Sequence, residues 1–166
     1  MNKKDLPYID KRLFYTRSRY DSSNAYHIEE IFRSHRSIFQ LAYEEKVGDK
    51  LYLFTHAGLL KGWYDEHKDL IGKLSVESLN GMYNTPGGIK ALCEASRTRG
   101  GWDKYGSIVW NDVSDIRKNI NDELPWDYQV FGHSQQEEKP IITNDFACLD
   151  CRKAFILDEN GKFEQI

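Results

Sequence analysis

Leu51-Tyr52-Leu53-Phe54-Thr55-His56-Ala57-Gly58 opens as a short apolar and aromatic run behind the turn-forming pair Gly48-Asp49. A run this short and this apolar predicts a strand buried on both faces of a sheet. It ends at a histidine followed by a small residue and a glycine. An imidazole is thereby placed at the carboxyl end of a buried strand, where ligands of open α/β sheets bind. The small residues after it allow close approach of another group. A single histidine at a strand end is ordinary.

A second stretch repeats the arrangement. Tyr128-Gln129-Val130-Phe131-Gly132-His133-Ser134 is again a short apolar strand that runs into a histidine beside a glycine. Two strands that each deliver an imidazole at their end can bring both to one edge of a sheet, and neutral imidazole is a ligand for Zn, Mn, Fe and Ni.

Outward from these strands, the pattern alternates between helical and extended segments. Upstream, residues 1–21 carry Arg12, Arg17 and Arg19 among aromatic residues without a period, and read as an irregular arm ahead of a globular part over 22–166. Ser22 or Ser23 is placed to cap a helix in which Ile28, Ile31, Phe32, His35, Ile38 and Phe39 recur at helical spacing. His27 and His35 on this helix have no ligand partner at a useful spacing and read as structural. Phe39 to Glu44 is expected to be a strand, turned by Lys46-Val47-Gly48-Asp49 into the run at Leu51.

Downstream, Leu60 to Ile71 predicts a helix with Trp63, Leu70 and Ile71 facing inward and His67 at the surface. Val76 to Tyr83 and Ile89 to Ala95 predict two further helices, separated by Asn84-Thr85-Pro86-Gly87-Gly88. Ser114 to Ile120 is a short helix. Pro140–Thr143, Phe146–Leu149, Ala154–Leu157 and Lys162–Ile166 read as strands, the last two joined through Asn160-Gly161, a strong hairpin signal.

Arg97 and Arg99 flank Thr98 ahead of Gly100-Gly101. Two arginines beside paired glycines can offer planar, bidentate donors to phosphate oxygens. The same residues also suit a solvated helix terminus, with arginine favoured by the dipole and glycine by the cap.

The chain has 166 residues, 40% hydrophobic and 13% aromatic, enough for one packed domain and too apolar for disorder. A net charge of −3 with interspersed signs leaves no basic footprint for nucleic acid. No apolar run reaches membrane-spanning length, and Met1-Asn2-Lys3-Lys4-Asp5 leads into no apolar stretch, so neither a membrane segment nor a signal peptide is expected. Three cysteines, an odd number, argue against a disulfide framework and for the reducing cytoplasm. Cys148 and Cys151 form a lone Cys-x-x-Cys, with only Cys93 besides. They read as a cysteine pair buried in a strand, with a thiol-redox or zinc role as the lesser reading.

The ordered set Thr55-His56-Ala57-Gly58-Leu59, then Val130-Phe131-Gly132-His133-Ser134, then Ala147-Cys148-Leu149-Asp150 ahead of a terminal hairpin resembles the calcineurin-like metallophosphoesterases, in particular their bacterial serine/threonine-phosphatase-like branch. Gly106-Ser107-Ile108-Val109-Trp110-Asn111-Asp112 resembles a loop that lines the active-site rim in that branch. The resemblance covers about residues 5–166 and implies an α/β fold: the C-terminal half of a metallophosphoesterase β-sandwich, with flanking helices and a terminal β-meander. It implies phosphate-ester hydrolysis at a two-metal centre of Mn, Zn, Fe or Ni. His56 and His133 would be metal ligands, and Arg97 or Arg99 would contact the substrate.

The family's earlier motifs, Asp-x-His, Gly-Asp-x-x-Asp and Gly-Asn-His-Asp/Glu, have no counterpart here; Lys3 and Lys4 stand where the Asn-His pair would fall. No catalytic residue is therefore assigned, and the two-metal site is incomplete in these residues. The chain alone is expected to be weak or inactive. It would self-associate, or take the missing half from a partner, through an open edge beside Leu51, Leu53 and Phe54. The alternative is an inactive remnant that serves as a binding or regulatory module.

Overall fold

The computed structural model describes residues 22–119 and 123–166. The arm expected over 1–21 lies outside the described residues. The chain divides between Gln40 and Leu41 into two compact units.

In the first unit, helix α1 (Ala25–Ser34) lies between single 3-10 turns at Ser22–Asn24 and Arg36–Ile38. The N-cap position falls on neither Ser22 nor Ser23. The cap position is Asn24, whose backbone is already helical (φ −92°, ψ −3°) and whose side chain makes no capping bond. A side-chain cap needs an extended residue there, and the 3-10 turn removes it. Phe32 and Phe39 pack with ring centroids 4.3 Å apart and planes tilted by 33°.

The second unit is mixed α/β. Strands β1 (Ala42–Val47), β2 (Lys50–Thr55), β3 (Tyr128–Phe131), β4 (Ile141–Ile142) and β5 (Phe146–Cys148) form one sheet in the order β1-β2-β3-β5-β4. β2, β3 and β5 are parallel neighbours, and β1 and β4 close the sheet antiparallel at its two edges. β6 (Phe155–Leu157) and β7 (Phe163–Gln165) form a separate antiparallel hairpin. The parallel step from β2 to β3 needs a long crossover. It carries α2 (Lys61–Ile71), α3 (Val76–Gly81), α4 (Pro86–Leu92) and α5 (Val113–Lys118).

Alternation along the strands sends consecutive side chains to opposite faces. Leu53, Phe131, Phe146 and Cys148 join Trp63, Leu79 and Ile108 in the helix-side core. Tyr52, Tyr128, Val130 and Ala147 form a second cluster with Leu157 and Phe163 of the hairpin. Both faces of the sheet are thus covered, which is why β2 and β3 are mostly apolar.

Several expectations are corrected. β2 is an interior strand with β1 on one side and β3 on the other, so there is no open edge beside it. Leu53 is fully buried, and Leu51 and Phe54 are half-buried. The edge is β1, where exposed Glu44, Glu45 and Lys46 oppose strand addition. Asn80 further blocks its start, accepting from the Leu41 and Ala42 amides and donating to the Ala42 carbonyl. Leu70 is 44% exposed while Trp63 and Ile71 face the core. Pro86-Gly87-Gly88 is the first turn of α4 and not a loop. Thr85 caps it by accepting from Gly88 N, and proline is tolerated at N1 because no partner for its missing N–H is needed there. Among the described residues no helix is long and apolar enough to cross a membrane.

Candidate functional site

β2 and β3 are parallel and adjacent, so the segments that leave their carboxyl ends emerge together. His56 follows β2 directly, and His133 follows β3 by one glycine. The Gly132 amide donates to the His56 carbonyl at 2.9 Å and ties the two exits. The rings converge: His56 Nε2 lies 2.9 Å from His133 Nδ1, with centroids 4.7 Å apart. Trp110 meets the His133 ring edge-on at 5.2 Å.

The exit after β2 is rigid. Gly58 has φ +86°, a conformation that favours glycine, and an added Cβ would lie 2.9 Å from Ile116 Cδ1. Its amide donates to Thr55 Oγ1, and its carbonyl accepts from the buried Asn111 Nδ2 at 2.7 Å. Gln129 then holds Leu59 through both backbone groups.

The exit after β3 is strained. His133 has φ +62°, rare for a residue with a Cβ. The Ser134 amide donates to the Gly132 carbonyl at 2.7 Å, which makes a γ-turn centred on His133. Arg99 holds the turn. Its Nη2 donates to the His133 carbonyl at 3.1 Å and to Ser134 Oγ at 2.6 Å, and its Nε forms an ion pair with Asp112 Oδ2 at 3.1 Å. Asp112 caps α5 through Ser114 N. Cys148 Sγ, buried beneath, lies 3.4 Å from the Ser134 carbonyl.

These surroundings set the charges. Burial pulls the His133 pKa down to about 4, helped by the charge of Arg99 and by His56, against the pull of Asp112. Burial also lowers the pKa of His56, opposed by Asp150 and aided by Arg99. For Asp112, burial pushes the carboxyl up, but hydrogen bonds from Ser114, the Arg99 charge and Ser134 outweigh it, and the pKa falls. At neutral pH His133 is therefore an uncharged imidazole with a lone pair to offer. That is the form a divalent metal requires. Nε2 of His133 is buried without a hydrogen-bond partner among the described residues.

The two histidines expected to share a site are thus brought together. Of the two arginines, Arg99 reaches the histidine turn, whereas Arg97 is exposed on the 3-10 turn Arg97–Arg99 that ends at left-handed Gly100. Arg99 is engaged by protein groups through Nη2 and Nε. Asp112, Ser134 and Trp110 carry no site role in the sequence reading, although Trp110 and Asp112 both lie in the stretch whose resemblance to a rim segment is legible. Cys148 and Cys151 are both buried and, like exposed Cys93, free thiols. His67 is not a plain surface residue: its Nε2 lies 2.7 Å from Glu94 Oε2, which also accepts from Trp63 Nε1.

The donor chemistry of His56 and His133 fits two ligands of a divalent metal. Among the described residues no group of three or more His, Cys, Asp or Glu side chains is arranged to hold one. No family model, curated protein or solved structure matches the chain.

Proposed function

We propose that the chain is a metallophosphoesterase-type module that acts on phosphate esters when the remaining metal ligands are supplied from outside the described residues. The observation that supports this reading is the 2.9 Å approach of His56 Nε2 to His133 Nδ1 at the carboxyl ends of adjacent parallel strands. Divalent ions bound there would supply Lewis-acid and water-activating chemistry. His56 and His133 contribute two neutral nitrogens to that set. Trp110 and the half-buried surroundings of His133 limit water on one side, and Arg99 adds positive charge next to the pair. Phosphate esters are the substrate class, and Mn, Zn, Fe or Ni the metals.

Isothermal titration of the 166-residue chain with Zn²⁺ or Mn²⁺ tests the reading. Weak binding is expected, lost in both His56→Ala and His133→Ala. Binding that neither variant alters would refute the metal role.

The absence of a third converging ligand among the described residues favours a second reading, an inactive remnant that binds without turnover. Aryl-phosphate hydrolysis in the presence of metal separates the two. Little or no turnover is expected from the chain alone. Robust turnover lost in His56→Ala would exclude the remnant.

A further inference from the structure

We propose that Asp112 and Arg99 are positioning residues: with Ser134 they form a latch that holds the His133 turn in its strained form and so presents Nδ1 of that ring, and not Nε2, to His56. The proposal deepens the reading of the histidine pair as metal ligands and rests on it for its purpose.

Strain at His133 is what calls for a latch. A positive-φ γ-turn on a residue with a Cβ is strained and persists only where the surroundings over-determine it. Without restraint, the backbone at His133 would relax and its ring would swing away from His56. Three restraints meet at this turn. The Gly132 amide is held by the His56 carbonyl, which fixes the residue before it. The His133 carbonyl is held by Arg99 Nη2 at 3.1 Å. The residue after it is held through Ser134 Oγ, which accepts from Arg99 Nη2 at 2.6 Å and from Val113 N at 2.9 Å. Ser134 is 6% exposed, so these bonds are sheltered from water.

The latch is itself anchored. Arg99 sits on a closed loop: Arg99 N and Gly101 N both donate to the Ser96 carbonyl, and Asp103 N donates to the Ala95 carbonyl. Ser96 Oγ and Thr98 Oγ1 donate to the two carboxylate oxygens of Asp115 on α5. The residue that caps α5, Asp112, is the one that pairs with Arg99 Nε. Loop, helix and histidine turn are therefore cross-linked at both ends of one arginine. The planar guanidinium donates to a carbonyl and a hydroxyl through Nη2, while its Nε, which has no hydrogen-bond partner among the described residues, stands 3.1 Å from the Asp112 carboxylate as an ion pair; a lysine ammonium cannot reach all three in one plane. Held this way, the ring is preorganised to within the narrow tolerance that ligand sites need.

The test reads ring geometry directly. In the full chain labelled with ¹⁵N-histidine, the facing nitrogens should show a coupling across the His56–His133 hydrogen bond. Arg99→Lys and the near-isosteric Asp112→Asn should each lose it. Leu79→Ala, which destabilises the distant core at α3, should keep it. Absence of the coupling in the unaltered chain overturns the proposal, as does its survival in both latch variants or its loss in Leu79→Ala. Zn²⁺ added to the unaltered chain decides the metal reading separately: unperturbed His56 and His133 ring nitrogens refute metal binding while the latch result stands.

Discussion

Asn111 holds the exit from β2 from below, and its replacement offers a test with a sign that depends on pH. The side chain is fully buried. Its Nδ2 donates to the Gly58 carbonyl at 2.7 Å, and its Oδ1 has no hydrogen-bond partner among the described residues. Asn111→Ala leaves the buried Gly58 carbonyl without a donor, which costs about 1–3 kcal/mol. Removing the desolvated Oδ1 offsets part of this, so a net loss of about 1–2 kcal/mol is expected. Asn111→Asp sets a carboxylate oxygen against that carbonyl. Burial raises a carboxyl by up to about 3–5 pKa units at full burial, and each unit is worth about 1.4 kcal/mol. The folded form of this variant then binds a proton that the unfolded chain releases near pH 4. Its stability relative to Asn111→Ala therefore falls as pH rises from the unfolded pKa through the folded one. It recovers at low pH, where the neutral carboxyl can donate to Gly58. Urea unfolding followed by circular dichroism at pH 4.5 and 7 measures this difference. An Asn111→Ala variant within about 0.5 kcal/mol of the unaltered chain, or an Asn111→Asp penalty equal at both pH values, would refute the placement of Asn111 under Gly58.

Other expectations are independent of that turn. His133 should titrate near 4 in the folded chain. Its folded pKa lies below the unfolded value of about 6.5, so the stability it contributes is present above the unfolded pKa and is lost as pH falls through that window toward 4. Histidine NMR titration checks this, and a midpoint near 6.5 would contradict the burial described. Leu53→Ala should lower stability by about 2–5 kcal/mol by opening a cavity under the sheet; a small change in urea midpoint would mean that β2 is not an interior strand. Gly101→Ala would place a Cβ 1.9 Å from the Ala95 carbonyl oxygen, and overpacking of this kind costs about 1–3 kcal/mol. An unchanged melting temperature would show that the Arg99 loop is not closed as described.

What the sequence determined by itself is local. The apolar runs before His56 and His133 specify β2 and β3 because strands buried on both faces must be apolar on both faces. Asn160-Gly161 specifies the hairpin because its turn needs positive φ, and Gly161 has φ +78°. The Trp63 and Ile71 spacing specifies α2 and the side it buries. From these elements the two imidazoles could be put at strand ends.

Their meeting was decided by tertiary structure. His56 and His133 are 77 residues apart, and only the parallel pairing of β2 with β3 brings Nε2 of one to Nδ1 of the other. β2 gained neighbours on both sides because Ala42–Val47 folds back on it, a pairing that the charged sequence Glu44-Glu45-Lys46 does not advertise. The role of Arg99 was equally hidden. A pair of arginines beside glycines reads the same whether it faces a phosphate or a protein carboxylate, and here the partners Asp112, Ser134 and the His133 carbonyl arrive from α5 and from the turn after β3. The residue type does not announce the strain at His133, since histidine, though enriched at positive φ among residues with a Cβ, mostly adopts negative φ. It exists because a packed neighbourhood holds it, and such a neighbourhood is a property of the folded chain alone.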